Sequence, residues 1–343
     1  MYPFKLKPAT KAYIWGGDRL RNEYGVQSQD SIVAEAWMLS CNAAGASTIS
    51  SGPLAGQTLG QALFSEIDKV LGENNSLSVY FPILIKFIDA KQNLSIQVHP
   101  DNCYALEHEL VFGKTEMWYV LDADKDAYLY YGFKRAITKE EFRERIEKNS
   151  IISVLNRVPV KKGDVFFIEA GTIHSIGKGI LIAEIQQNSD TTYRVYDYAR
   201  TDANGHKREL HIKKALDVTD TAFVPGIPDA PSYISEEGYR TARLASCEYF
   251  TVDHLDIDSS ARLICDTKSF TSLLFIDGKG RIIFEDRSCG EDGVIAESSV
   301  IAESSVITEG SVIDVIKGDS LFLPAGTGAF RIEGKCSVLL TVK

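Results

Sequence analysis

Four residues far apart in the chain have the types and spacing to share one divalent cation. Gln97 and His99 stand two apart in Ser95-Ile96-Gln97-Val98-His99-Pro100. Glu116 leads Glu116-Met117-Trp118, and His174 closes the segment that runs from Gly163-Asp164 through Glu169-Ala170-Gly171. Two imidazoles, a carboxylate and an amide oxygen make a mixed nitrogen and oxygen donor set. Such a set suits Zn²⁺, with Fe, Mn, Co and Ni also fitting on geometry. With no thiolate in it, the set reads as an open catalytic site that keeps a position for water or substrate.

The elements that would position these donors are strands. Side chains alternate between the two faces of a strand, so Ser95, Gln97 and His99 share one face. Leu94, Ile96 and Val98 then share the other and pack outward into a second layer. Polar groups turned inward cost a few kcal/mol each unless partnered, and a metal partners several at once. Strand-like runs separated by Gly, Asn and Asp turns cover Ser78 to Asp89, Leu94 to His99, Glu116 to Ala123, Asp126 to Tyr131, Asp164 to Glu169 and Ile180 to Gln186. Helical patterns are few: Leu59 to Leu71, Glu209 to Asp217, and Thr138 to Asn149. In the last, Thr138 serves as N-cap and Glu141 completes a capping box.

An internal echo sets the domain organisation. Lys162-Gly163-Asp164 with Ala170-Gly171 returns as Lys317-Gly318-Asp319 with Ala325-Gly326, 155 positions later, which indicates two copies of one β fold. Ala329 stands where the first copy has His174, so the second copy is expected to lack the metal. The Pro- and Gly-rich stretch Val224 to Pro231 marks the boundary. The expected domains are 1–224, metal-binding and catalytic with small helical additions, and 232–343, degenerate. A hexapeptide repeat beginning at Val294-Ile295-Ala296-Glu297-Ser298-Ser299 is read as a local duplication within the second copy.

Bulk properties narrow the class. The 343 residues carry 37 basic and 47 acidic side chains, a net charge of −10, which argues against nucleic acid or an anionic membrane as partner. No run of 18 apolar residues occurs, and the N-terminus is too short and polar for a signal peptide. Six cysteines lie scattered without a Cys-x-x-Cys pair, as in a reduced cytoplasmic protein. Nothing in the sequence separates a monomer from a homodimer.

The segment from Gly163 to His174 resembles the second cupin motif, with Glu169 in place of the usual Pro and Lys178 where Asn often stands. Gln97 to Glu116 resembles the first, with Gln for the first His and an insertion before the Glu. That variation is similar to the type I mannose-6-phosphate isomerase family. Tyr13-Ile14-Trp15-Gly16-Gly17, Glu35-Ala36-Trp37, Ile96-Gln97-Val98-His99-Pro100-Asp101, Lys114-Thr115-Glu116-Met117-Trp118-Tyr119 and the run Gln186-Gln187-Asn188-Ser189-Asp190-Thr191-Thr192-Tyr193-Arg194 all resemble its signatures. The resemblance implies a mainly β fold of two cupin-type jelly-roll β-barrels with a few short helices. It also implies one Zn²⁺ per chain and interconversion of mannose 6-phosphate and fructose 6-phosphate through an enediol.

Further residues acquire roles within that expectation. Arg194 matches the family's active-site arginine, for the enediolate or the phosphate. Lys86 and Lys114 match lysines of its pocket. Lys86 also sits in an apolar run, where a charge needs a partner or a wet cavity. Ser95 shares the metal face and could donate to phosphate. Glu184, on the strand after His174, is a candidate acid or base, or an orienting partner for His174 or a lysine. Trp15 walls the sugar pocket or fills the core. His108, His206, His211 and His254 read as structural or surface residues. Two other readings compete: an Fe(II)-dependent cupin dioxygenase, which shares a two-His-one-carboxylate set, and a non-catalytic sugar-binding cupin.

Overall fold

The computed structural model describes residues 1–64, 66–75, 80–201, 205–221, 230–285 and 311–343. The hexapeptide repeat, all but its last residue, and most of the expected boundary loop lie outside the described residues, as do positions 78 and 79 of the expected Lys86 strand. The protein is mainly β. It divides into two units, Pro8–Ala46 with Ile83–Pro231, and Met1–Lys7 with Ser47–Pro82 and Ser232–Lys343. The C-terminal unit begins at Ser232 as expected, but Met1–Lys7 and Ser47–Pro82, expected within 1–224, group with it. Phe4–Lys7 pairs with Ser320–Leu323 and with Thr48–Ile49, so these N-terminal segments complete the sheet of the C-terminal copy.

The first unit holds two antiparallel sheets. One runs in the order Val165–Ile168, Glu116–Ala123, Ile180–Gln187, Ile83–Ala90, Glu35–Leu39, Ala9–Lys11. The other runs Tyr193–Tyr196, Ile96–Val98, His174–Ser175, Tyr128–Phe133, Leu155–Pro159. The two are open sheets packed face to face rather than one hydrogen-bonded cylinder, the double-sheet form that a jelly roll takes. Their inner faces enclose a core that includes Trp15, Ile88, Leu94, Trp118, Leu129, Tyr131, Phe166 and Ile182. Ile96 and Val98 face the other way. They pack with Phe142, Ile146 and Leu216 of the helices Lys139–Glu147 and Ile212–Val218. Leu94 breaks the expected alternation and lies in the inner core, because the strand begins only at Ile96.

Helix expectations are met in part. Leu59 to Leu71 is two short helices, Leu59–Leu63 and Ile67–Leu71. Thr58 and Gln61 form a complete capping box on the first. On Lys139–Glu147 the box is half made: Thr138 accepts from the Glu141 N–H, but the Glu141 carboxylate goes to Arg135 and Arg145. Two guanidinium partners outweigh one exposed backbone N–H.

The 155-residue echo is reproduced bond by bond. Gly163 N–H donates to Val120 O at 2.8 Å, and Gly318 N–H to Phe275 O at 2.8 Å. The Asp164 carboxylate accepts from Lys161 N–H, and the Asp319 carboxylate from Ile316 N–H, both at 2.9 Å. Strand Val165–Ile168 pairs with Glu116 to Tyr119 in the register in which Ser320–Leu323 pairs with Thr271 to Leu274. Gly163 and Gly318 have φ of 91° and 95°, a left-handed conformation that glycine adopts without a Cβ clash.

Gly177, three residues past His174, is required for a different reason. A Cβ there would meet the Tyr128 carbonyl oxygen at 1.8 Å, and backbone cannot move aside as a flexible side chain can. Gly177→Ala is expected to lower unfolding free energy by about 1–3 kcal/mol. The drop will show as a lower urea midpoint with unchanged slope.

Candidate metal centre and cavity

Register alone lines up the site. Directly opposed residues of antiparallel strands share a face. In the second sheet Arg194, Gln97, His174 and Tyr131 form one such row. In the first sheet Trp37, Lys86, Glu184, Trp118 and Phe166 form another, and Leu84, Gln186, Glu116 and Ile168 lie in the next. Both sets turn inward, so donors up to 77 positions apart, as Gln97 and His174 are, become neighbours. His174 does not sit on a loose turn, as its distance from the preceding strand suggests. It forms its own two-residue strand, His174–Ser175, pinned on one side by Gln97 and on the other by Tyr131.

His99, Glu116 and His174 converge, with one donor atom from each within 4.8 Å of the others. Glu116 Oε2 lies 3.6 Å from His99 Nε2, and Glu116 Oε1 lies 3.4 Å from His174 Nε2. Each imidazole is fixed from behind. His99 donates its Nδ1–H to Thr191 O at 2.9 Å, and His174 donates its own to Thr172 O at 2.8 Å. Because carbonyls only accept, both rings present an Nε2 lone pair to the centre. Burial, with Lys114 nearby, pushes both imidazoles toward the neutral form, His174 to about 4 and His99 well below its ordinary value. Burial, then the neighbouring Glu184, raises Glu116 to about 7.

This arrangement fits a divalent cation. His99 Nε2 and Glu116 Oε1 are buried without a hydrogen bond, while Glu116 Oε2 lies between the Lys114 ammonium at 2.8 Å and His99 Nε2 at 3.6 Å. Gln97 places its amide nitrogen 3.4 Å from His174 Nε2, while its oxygen accepts from Ser95 Oγ at 3.4 Å. A half-turn of the carboxamide would put its oxygen in place of the nitrogen, 3.4 Å from His174 Nε2.

Beside the donors lies a cavity of about 300 Å³. Ser95, Trp15, Lys86, Lys114, Glu184 and Arg194 line it. Trp15 is both wall and core, being 3 % exposed and part of the inner cluster. Lys86 lies 3.1 Å from Glu184 and 3.7 Å from Glu35, and Lys114 lies 2.8 Å from Glu116 and 3.6 Å from Glu184. Burial disfavours the Lys86 ammonium, yet Glu35 and Glu184 outweigh it and raise its pKa. Burial likewise raises Glu184, but Lys114 and Lys86 outweigh it and hold the carboxyl down to about 2. Glu184 also accepts from Trp118 Nε1 at 2.8 Å. It orients the lysines rather than His174, whose ring is held by Thr172.

Arg194 differs from the lysines. Its Nη1 donates to Glu209 O at 3.0 Å, its Nε is buried without a partner, and among the described residues it has no carboxylate ion pair. Burial, then the like charge of Arg208, lowers its pKa. His211 supports it from behind: its Nδ1 accepts from the Arg194 N–H at 3.2 Å.

Several residues around the donors and the cavity had no role in the sequence reading. Trp118 stands two after Glu116 on a strand, so alternation alone places it on the donor face; its ring meets His174 edge-on at 5.3 Å. Tyr13, Glu35, Trp37, Asp190 and Thr192 lay inside recognised segments, yet nothing in spacing marked them as cavity-lining. Arg208 sits in a charged run that reads as solvated surface. It lines the cavity and makes a two-pronged contact with Asp197.

Comparisons with known proteins agree with this geometry. Residues 3–128 match the model of the phosphomannose isomerase type I catalytic domain. A mannose-6-phosphate isomerase of Streptococcus mutans is 42% identical over 82% of this chain and 86% of its own. One from Bacillus subtilis is 39% identical over 99% of this chain and 98% of its own. The crystal structure of a mannose 6-phosphate isomerase from Bacillus subtilis superposes with a TM-score of 0.86 at 35% identity, covering 99% of each chain. An Archaeoglobus fulgidus structure, a putative mannosephosphate isomerase, shares the fold at 21% identity and a TM-score of 0.70. These similarities establish that the chain belongs to the type I mannose-6-phosphate isomerase family.

Proposed function

We propose that the chain interconverts mannose 6-phosphate and fructose 6-phosphate with one Zn²⁺ held by Gln97, His99, Glu116 and His174. The observation that carries this reading is the convergence of buried donor atoms of His99, Glu116 and His174, with His99 Nε2 and Glu116 Oε1 lacking any hydrogen bond, beside a cavity lined by Lys86, Lys114 and Arg194. A cavity of about 300 Å³ suits one small ligand. The bound metal supplies a Lewis acid for the substrate carbonyl and for charge developing on oxygen.

The side chains divide the remaining work. Arg194 has no carboxylate partner among the described residues, so its charge remains available to an anion, and its planar fork matches phosphate or enediolate oxygens. Lys86 and Lys114 are each held by two carboxylates. They are thereby fixed as directional donors to sugar oxygens rather than free counter-ions. Ser95, beside Gln97 on the same wall, adds a hydroxyl donor. Glu184, fixed by Trp118, sets the positions of both lysines. The isomerisation removes a proton from C2, protonates O1 to give the enediol, then returns a proton to C1 as O2 loses one. Trp15 and Trp37, both buried, help keep water from that intermediate. An Fe(II) oxygenase shares the three protein ligands, but Arg194 on the cavity wall, without a carboxylate ion pair among the described residues, favours a phosphorylated substrate.

Two measurements test the proposal. Exhaustive chelation is expected to lower isomerase turnover by at least about 1,000-fold, since Lewis-acid stabilisation is worth several kcal/mol. Added Zn²⁺ should restore it; turnover that survives complete metal removal refutes the metal role. Arg194→Ala is expected to lower kcat/KM by about 100- to 1,000-fold, as for loss of one charge-stabilising donor. Its zinc content should equal that of the parent, and unchanged kinetics would remove Arg194 from the site.

A further inference from the structure

Resting on the metal reading above, we infer that Gln186 is a positioning residue that sets metal affinity through the orientation of His99. Gln186 lies fully buried directly opposite Glu116 in the sheet. Its two amide hydrogens are both committed, one to Gln187 O at 2.8 Å and the other to Ser189 O. Those bonds hold a tight turn in which Ser189 N–H donates back to Gln187 O at 2.7 Å and Ser189 Oγ accepts from Thr191 N–H at 3.3 Å. Thr191 O, the end of this short chain of bonds, is the acceptor that fixes His99 Nδ1–H at 2.9 Å.

The adjacent residue does the same for the carboxylate ligand. Gln187 Oε1 accepts from Thr115 N–H at 2.9 Å, and Gln187 N–H donates to Thr115 O at 3.1 Å, just before Glu116. Consecutive residues of one strand point to opposite faces, so a single Gln-Gln pair braces two different ligands. Because both Gln186 N–H groups are used, its amide cannot turn over without losing two bonds. Its Oε1 is therefore a fixed acceptor, buried without a hydrogen bond on the ligand side of the strand. The same turn leads into Asp190, Thr192 and Arg194, which line the cavity, so metal seat and cavity wall share one brace.

The test uses the full chain, metal-free, titrated with Zn²⁺ against a chromophoric chelator. Gln186→Met keeps length and burial but removes both donors. Gln186→Asn keeps the amide but falls one methylene short of the two carbonyls. Both are expected to bind Zn²⁺ about 10- to 100-fold more weakly, the effect of losing an outer partner of a metal ligand. The circular dichroism of the metal-free protein should be unchanged, and turnover should return when zinc is raised above the weakened affinity. A general folding defect would not show that rescue. Zinc affinity within about threefold of the parent in a folded variant overturns the inference, being below the range expected of an outer partner. A parent chain that binds no zinc fails at the metal reading itself, which tells the two failures apart.

Discussion

The site depends on the burial of more carboxylate than the protein's own cations neutralise. Glu35, Glu116 and Glu184 are all buried, and among the described residues they face two buried ammonium groups, Lys86 and Lys114. Removing one member of a buried ion pair costs about 3–5 kcal/mol, so an odd carboxylate in such a cluster is a strong demand for positive charge. Glu116 is fully buried and carries that demand, and its oxygens stand between two imidazole lone pairs. A divalent ion satisfies the carboxylate and both rings at once. A centre so filled would carry net positive charge, which would favour an anionic ligand in the adjoining cavity.

Cross-strand register makes this possible without long loops. The row Arg194, Gln97, His174, Tyr131 delivers a guanidinium, a carboxamide and an imidazole to one face of one sheet. The row Trp37, Lys86, Glu184, Trp118 delivers the ion-pair lattice from the other. A one-residue slip in any of these strands would send its charged group out of the site and bring a hydrocarbon in. The apolar residues that face away, such as Ile96 and Val98 under the helices, guard that register.

Much of the centre was legible because alternation is a local property. Gln97 and His99 announce an inward face within three positions, Glu116 opens a strand of its own, and His174 follows a turn whose glycines repeat later in the chain. What was not legible came from contacts between distant segments. The Glu141 carboxylate prefers Arg135 and Arg145 over its own helix terminus, a choice that only neighbouring side chains decide. His174 becomes a strand only because Gln97 and Tyr131 flank it. Arg208 lies in a run of charges with no period, so only its contact with Asp197 and its place on the cavity wall mark it out. The N-terminal strand Phe4–Lys7 joins the C-terminal copy through pairing with Ser320–Leu323, more than 300 positions away, for which local patterning carries no signal.

The two copies of the echo separate what the scaffold needs from what the chemistry needs. Turn bonds, glycine conformations and strand register are shared, yet the inward residues differ throughout. Thr271 replaces Glu116, Leu273 replaces Trp118, and Ala329 replaces His174. Leu340 pairs with Leu273 where Glu184 pairs with Trp118. Leu273 joins a core of Phe275, Leu321, Leu323, Phe330 and Val338, so hydrocarbon fills the space that donors and lysines occupy in the first copy. A fold that keeps its turns and register with an apolar interior does not need a metal to specify it. The charged interior of the first copy is therefore an addition to the fold, one that the shared turns and register of the second copy do without.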